Sequence, residues 1–286
     1  MHKFLNWYVR HLPFPHRGWK YVQPILRKLN LAEQPYQKKL FNGLRLNVNA
    51  TDHIQKNIFW YGYYEKEVSI VWQDLIRRDS VVLDVGANIG YFSVLAAAKA
   101  VNGSVFSFEP VSLFRKQLSD NIALNNLSNV EVLPFAVGNR NEKATIYLAD
   151  ADNFGMTAMV LPENFSGKTE TVEKISLDKW AEQNPLPKLD LIKIDTEGAE
   201  MEVLSGMQSL LQRQQPAVLI EVINEQLDKF ESSAVDLYNY LDNNRYRAFE
   251  IVTGKRLRLI KDYKEGYDIL FLPENYQLPQ SLKIID

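Results

Sequence analysis

From Val81 onward, short apolar runs alternate with stretches whose apolar residues recur at helical spacing. The runs at residues 81–85, 104–109, 130–135, 189–194, 217–222, 247–252 and 267–272 are too short to be buried helices, so each predicts a strand. Between them, residues 89–100, 111–125, 199–212 and 233–243 predict helices. Phe114, Leu118 and Ile122 share one face of the second helix, and Val203, Leu204, Met207, Leu210 and Leu211 share one face of the third. That is the spacing of a core-facing stripe. Strands alternating with such helices predict an α/β fold, a doubly wound and mostly parallel sheet of seven strands. Residues 144–148 and 169–175 add an inserted hairpin or edge pair.

The first 50 residues break this pattern. Phe4, Trp7, Tyr8, Phe14, Trp19 and Tyr21 are interleaved with Arg10, Arg17, Lys20, Arg27 and Lys28, and acids are nearly absent. Pro13, Pro15 and Pro24 divide any helix there into short pieces. The chain is therefore divided into an N-terminal aromatic and basic helical extension, residues 1–50, and a main domain, residues 51–286. The extension reads first as an appendage packed on the domain. Its second reading is a lid, an acceptor-docking arm or a weak membrane-surface contact through cations and interfacial aromatics. No apolar run approaches the roughly 18 residues of a spanning helix, and the apolar core of a signal peptide is missing.

Ligands of a doubly wound sheet sit beyond the carboxyl ends of its strands. The first strand carries Asp84 there and turns through Gly86-Ala87-Asn88-Ile89-Gly90 into a helix. Gly86 and Gly90 permit a tight turn and close approach of a ligand to the backbone. Asp84 can cap the turn by accepting backbone N–H bonds, and Asn88 either caps the helix or lends its amide to the site. The spacing is not that of a dinucleotide fingerprint, and no phosphate-binding lysine follows. One helix later, the second strand ends in Glu109. A carboxylate about 20 residues beyond the turn accepts hydrogen bonds from two ribose hydroxyls, so the pattern predicts an adenosine ligand. Asp195 and Glu221 end two further strands. Four carboxylates on one rim repel one another unless a cation or hydrogen-bond donors offset them.

The turn, Glu109 and the segment Lys193-Ile-Asp195-Thr-Glu197-Gly-Ala-Glu200 together resemble S-adenosylmethionine-dependent methyltransferases of the FkbM type. The resemblance runs from about residue 52 to residue 273. It also takes in Tyr61-Gly-Tyr-Tyr-Glu65, Phe108-Glu-Pro110, residues 129–138, Leu177-Asp178, Val203-Leu-Ser-Gly206 and residues 216–221. It implies a class I methyltransferase (Rossmann-like) fold, S-adenosylmethionine as cofactor and O-methylation of a hydroxyl. A sugar or glycan hydroxyl is the leading acceptor class, with a small secondary metabolite next. The resemblance adds Ala87, Pro110 and Ala136 to Asp84, Gly86, Asn88, Gly90 and Glu109 as cofactor-binding residues.

An alcohol is a poor nucleophile at neutral pH, so transfer calls for a base or a metal, with oxygen, methyl carbon and sulfur in line. Asp195 is the first candidate base, Glu197 the second and His53 the third, if the segment carrying His53 folds over the site. Asp195 and Glu221 end adjacent strands and offer oxygens to magnesium or calcium, but no dense ligand cluster accompanies them, so a divalent metal stays open. Lys193 lies one alternation before Asp195 and points the same way. It either pairs with Asp195 or binds an acidic acceptor. Trp60, Tyr61, Tyr63 and Tyr64 offer rings to a sugar face or pack a helix, and residues 153–157 form a candidate acceptor loop.

Composition narrows the alternatives. With 33 basic and 35 acidic residues, the formal charge of −2 gives no global field for a nucleic-acid backbone. A nucleic-acid methyltransferase is therefore a weaker alternative, and a non-catalytic protein that binds the adenosyl cofactor is another. The chain has no cysteine, hence no disulfide, thiolate nucleophile or zinc–thiolate site, which fits a cytoplasmic protein. The oligomeric state is left open.

Overall fold

The computed structural model describes residues 36–49, 55–148, 157–158, 165 and 167–285. His53, residues 1–35 of the extension and most of the 153–157 loop lie outside the described residues. A hairpin of β1 (Tyr36–Lys39) and β2 (Arg45–Val48) leads to α1 (Gln55–Tyr61) and α2 (Lys66–Leu75). The alternating part begins with β3 (Val81–Val85), α3 (Tyr91–Lys99), β4 (Ser104–Phe108), α4 (Ser112–Leu124) and β5 (Val130–Leu133). An insertion follows, made of β6 (Phe135–Val137), β7 (Glu142–Leu148), β8 (Thr157–Ala158) and β9 (Lys168–Ile175). The chain continues through α5 (Leu177–Gln183), β10 (Leu191–Ile194), α6 (Glu200–Ser205), α7 (Gln208–Gln214), β11 (Ala217–Val222) and α8 (Asn224–Leu227). It closes with α9 (Ala234–Asn243), β12 (Tyr246–Val252), β13 (Arg256–Leu259), β14 (Tyr267–Pro273) and β15 (Lys283–Ile285).

The main sheet has the order β15-β13-β12-β14-β11-β10-β3-β4-β5. The run β11-β10-β3-β4-β5 is parallel, and β14 is antiparallel to both β11 and β12. All seven expected strands are present. The sheet is nonetheless nine strands wide, because β13 and β15 extend it beyond β12. Alternation along β3 sends Val82 into one apolar cluster and Leu83 and Val85 into the other, so the sheet divides two cores. Every residue of β3 and β10 is buried, as a central parallel strand covered on both faces requires. The β1–β2 hairpin joins the first of these cores through Leu40, Leu46 and Val48.

Two predicted elements are divided. Residues 130–135 form β5 and then β6, which belongs to the four-stranded sheet β6-β9-β7-β8. Pro134 separates them, since proline has no N–H to continue the ladder. Residues 144–148 and 169–175 do pair antiparallel as expected, within β7 and β9. Residues 199–212 form two helices, α6 and α7, rather than one. At the break, the Gly206 carbonyl accepts from Asp178 N at 2.9 Å. The Asp178 carboxylate accepts from Ser209 N at 2.8 Å and Leu210 N at 3.0 Å, so it caps the start of α7 from another helix.

Asp178→Ala removes both caps. We expect a loss of about 1 kcal/mol, in the range of an N-cap deletion, read as a lower urea midpoint at unchanged slope. Asp120→Ala, which breaks only the exposed pair with Lys116, should shift stability by less than about 0.5 kcal/mol.

Candidate active site

Because β3, β4, β10 and β11 run parallel, their carboxyl ends open on one rim. Lys193 pairs in register with Asp84, and Glu221 with Asp268 on β14. Alternation then puts Asp84, Lys193, Asp195, Glu221 and Asp268 on one face of the sheet, the face covered by α2 and α3. A cleft opens at this rim. Asp84, Gly86, Ala87, Asn88, Glu109, Pro110 and Ala136 line it, together with Asp195 and Glu197. Aromatic walls come from Tyr64, Tyr91, Phe92, Phe108, Phe114 and Phe135.

The turn after β3 is held by its own hydrogen bonds. Gly86 N and Ala87 N both donate to Phe108 O at 3.0 Å, and Gly90 N donates to Ala87 O at 2.8 Å. Asn88 N donates to Glu109 Oε2, and Ile89 N to Asn88 Oδ1, each at 2.8 Å. Every N–H from Gly86 to Gly90 is thus already engaged, unlike a phosphate-cradling loop, whose N–H groups converge on the ligand. Gly86 has φ 81°, and a Cβ there would lie 1.8 Å from the Asp195 carbonyl oxygen. It is the point where the β3 and β10 loops touch, and Asp195 N donates to Val85 O at 3.0 Å beside it. Gly90 does not line the cleft. Gly90 has φ 85°, the left-handed region that favours glycine, and a Cβ there would also lie 2.2 Å from Leu118 Cδ1 on α4.

Glu109 is buried within the cleft wall. Its second oxygen, Oε1, accepts from Val111 N at 2.8 Å, which leaves each oxygen a further lone pair. Burial pushes its pKa up to about 7. Asp84 is pushed up to about 6, again by burial, and accepts from Ser93 Oγ, which in turn accepts from Ser107 Oγ at 2.8 Å. These groups fix the floor of the cleft.

The segment after β10 is organised by Glu200. Its Oε1 accepts from Thr196 N at 2.9 Å, Thr196 Oγ1 at 3.0 Å and Gly198 N at 3.1 Å. This holds Glu197 at φ 56°, where Gln226 Nε2 donates to its carboxylate at 2.6 Å. Burial, followed by the Asp195 charge, raises Glu197 to about 7. Lys193 donates to Asp195 Oδ2 at 2.6 Å and sits 4.6 Å from the centre of the Phe92 ring. Burial works to lower the Lys193 pKa, but Asp195, Asp268 and Glu65 outweigh it and raise that pKa well above the usual value.

Two acids at this site escaped the sequence reading. Asp268 enters through an antiparallel strand, so strand-end logic passes over it, and only the register with Glu221 reveals it. Glu65, at φ 42° before α2, stands close enough to Asp268 for each to act on the other's charge. The charged residue inside the apolar run Tyr267-Asp-Ile-Leu-Phe-Leu was the available signal for Asp268. Burial and then Asp268 raise Glu65 to about 8, and burial and then Asp195 raise Glu221 to about 9. Among the described residues, no group of three or more acidic or histidine side chains is arranged to hold a metal ion. No helix among them is long and apolar enough to cross a membrane.

Three curated proteins illustrate what the chain is similar to. The AMB antimetabolite synthetase AmbE of Pseudomonas aeruginosa is 26% identical over 62% of this chain, a match covering 10% of that protein. The hexuronic acid methyltransferase AglP of Haloferax volcanii is 31% identical over 49% of this chain and 58% of its own length. The 2-O-methyltransferase NoeI of Sinorhizobium fredii is 25% identical over 46% of this chain and 59% of its own. The chain thus spans less than two thirds of each. Residues 84–248, more than half of this chain, match the methyltransferase FkbM domain. That span runs from the first carboxylate of the cleft into β12 and includes the whole rim from Asp84 to Glu221, so the chain belongs to the methyltransferase FkbM family.

Proposed function

We propose that this protein is an S-adenosylmethionine-dependent O-methyltransferase whose acceptor is a sugar or glycan hydroxyl. The observation that carries the cofactor is Glu109, a buried carboxylate fixed by two backbone N–H groups beside a turn with no N–H left for a phosphate. This donor set fits an adenosyl ligand that has a ribose diol and lacks phosphate. Glu109 would hold the diol, while Pro110, Phe114, Phe135 and Ala136 offer an apolar wall for the adenine. The acidic rim suits a cationic sulfur. When bound, the cofactor supplies an electrophilic methyl group on a positively charged sulfur.

Asp195 stands where the β3 and β10 loops meet, and its side chain is partly open to the cleft. In this reading it accepts the hydroxyl proton as the acceptor oxygen attacks, and the aromatic walls exclude water. Glu197 engages one oxygen with Gln226 and Asp195 one with Lys193, and the place of Asp195 at the meeting of the two loops is what favours it as the base. Support for a sugar acceptor comes from relatives, one a hexuronic acid methyltransferase and another a 2-O-methyltransferase. Transfer of label from methyl-labelled cofactor into a glycan or lipid-linked extract tests the reading. Label appearing in nucleic acid alone would overturn it.

Glu109→Ala removes two charge-assisted hydrogen bonds, each worth roughly 1.5–3 kcal/mol before water compensates. Cofactor affinity measured by calorimetry should fall at least about tenfold, with the fold intact by circular dichroism. Unchanged affinity would remove Glu109 from the ribose.

Asp195→Asn keeps the shape and loses the proton acceptor. Methyl transfer should slow by about 10²-fold or more while cofactor affinity stays within a few-fold. Equal loss of cofactor binding would make Asp195 a binding residue, and retained turnover would move the base elsewhere.

A base mechanism also predicts turnover that survives dialysis against EDTA. Loss of activity on dialysis, restored by magnesium or calcium, would instead make Asp195 and Glu221 metal ligands.

A further inference from the structure

The rim of the cleft holds a charge imbalance that the transfer step does not by itself explain. Lys193 is the only cation lining the cleft among the described residues, and its ammonium is already paired with Asp195 at 2.6 Å. Around it stand Glu65, Glu221 and Asp268, with Glu197 beyond Asp195. Glu65 Oε2 is buried with no hydrogen-bond partner among the described residues, which favours the protonated form of that carboxyl. Glu221 is the cross-strand neighbour of Asp268 and also faces Asp195. One ammonium cannot neutralise so many carboxylates, so the cluster must carry protons or acquire another positive charge.

We propose that this cluster exchanges a proton for the cofactor's positive charge, releasing one as the sulfonium form binds and holding one after the methyl group has left. The inference rests on the S-adenosylmethionine reading above and extends it to the fate of the proton. The balance is simple. A lone pair of the acceptor oxygen forms the O–C bond, the C–S bonding pair returns to sulfur, and the hydroxyl proton passes to Asp195. Sulfur is then neutral, and the site has lost the cation that kept its carboxylates ionised. Glu65, Glu221 and Asp268 take up the resulting negative charge by sharing that proton, which leaves Asp195 free for the next turnover.

The electrostatics agree in sign. The protein's own groups raise Glu65 to about 8 and Glu221 to about 9, in both cases first by burial. Such carboxyls are protonated where an exposed one would be ionised, and a nearby cation lowers their proton affinity. The other groups facing the cluster do not supply that cation. Tyr64 is neutral, its pKa raised by burial, and Asp84 is anchored to Ser93. Lys229 acts on Glu197, which lies beyond Asp195.

S-adenosylmethionine and S-adenosylhomocysteine differ by one methyl group and one positive charge, which isolates the effect. Each is titrated into the full chain by calorimetry in phosphate and in Tris, and the difference in heat between buffers counts the protons exchanged. At about pH 8, the sulfonium ligand should release about half a proton or more beyond the thioether. Glu221→Gln and Asp268→Asn should each shrink that difference, and the comparison of ligands on the unaltered chain stands even if a variant does not fold. Equal proton counts for the two ligands would overturn the proposal, as would a difference untouched by both substitutions. Binding of both ligands with equal counts would leave the cofactor reading standing, whereas binding of neither would remove the reading and the proposal together.

Discussion

A single buried ammonium holds the working face of this protein together. Taking a lysine out of water costs several kcal/mol, and only a close counter-charge in good geometry offsets it. Lys193 has that in Asp195, with the Phe92 ring against its other side and the acids of β14 and the α2 entry nearby. Its influence also runs the other way. Asp195, Glu221, Asp268 and Glu65 come from three strands and one helix entry, and without a cation between them their repulsion would oppose the packing of α2 on the sheet. A core-facing position on a central strand, where Leu or Val would maximise apolar burial, is given to the charge that lets a rim of carboxylates exist.

Acids at this rim fall into two kinds that look identical in sequence. Glu109, Glu200 and, further off, Asp178 spend their oxygens on backbone N–H groups, and so act as fasteners for a turn, a loop and a helix start. Asp195, Glu221 and Asp268 instead face one another across Lys193. The first kind supplies rigidity, and the second supplies a responsive charge. Glu109 belongs to both, since its remaining lone pairs still face the cleft.

Most of the framework was legible in the chain because buried parallel strands leave unbroken apolar runs, and β3, β4, β10 and β11 all do so. The cofactor rim was legible for a related reason: parallel strands deliver their last residues to one edge. What escaped notice depends on contacts distant in sequence. The break at Gly206 is set by Asp178, whose backbone and side chain serve both sides of it. The widening of the sheet by β13 and β15 rests on short, half-exposed segments with little apolar signal. The separation of β5 from β6 was readable at Pro134 and was passed over because the apolar residues continue through it. Asp268 could not be reached by strand-end reasoning, since an antiparallel strand brings its beginning, not its end, to the rim.

The hairpin at the start of the described chain has an outer edge that α4 covers in an unusual way. Asn121 Oδ1 accepts from Asn47 N at 2.7 Å, and Asn125 both accepts from Arg45 N at 2.9 Å and donates to Arg45 O at 2.6 Å. Four residues of helix rise about 6 Å and two residues of strand about 6.6 Å, so side chains one turn apart meet alternate residues of β2 without distortion. An asparagine side chain is a primary amide, and here two of them stand in for the peptide groups of a neighbouring strand. The consequence is colloidal: an edge that would otherwise offer its N–H and C=O groups to any extended chain in a crowded solution is closed by a helix.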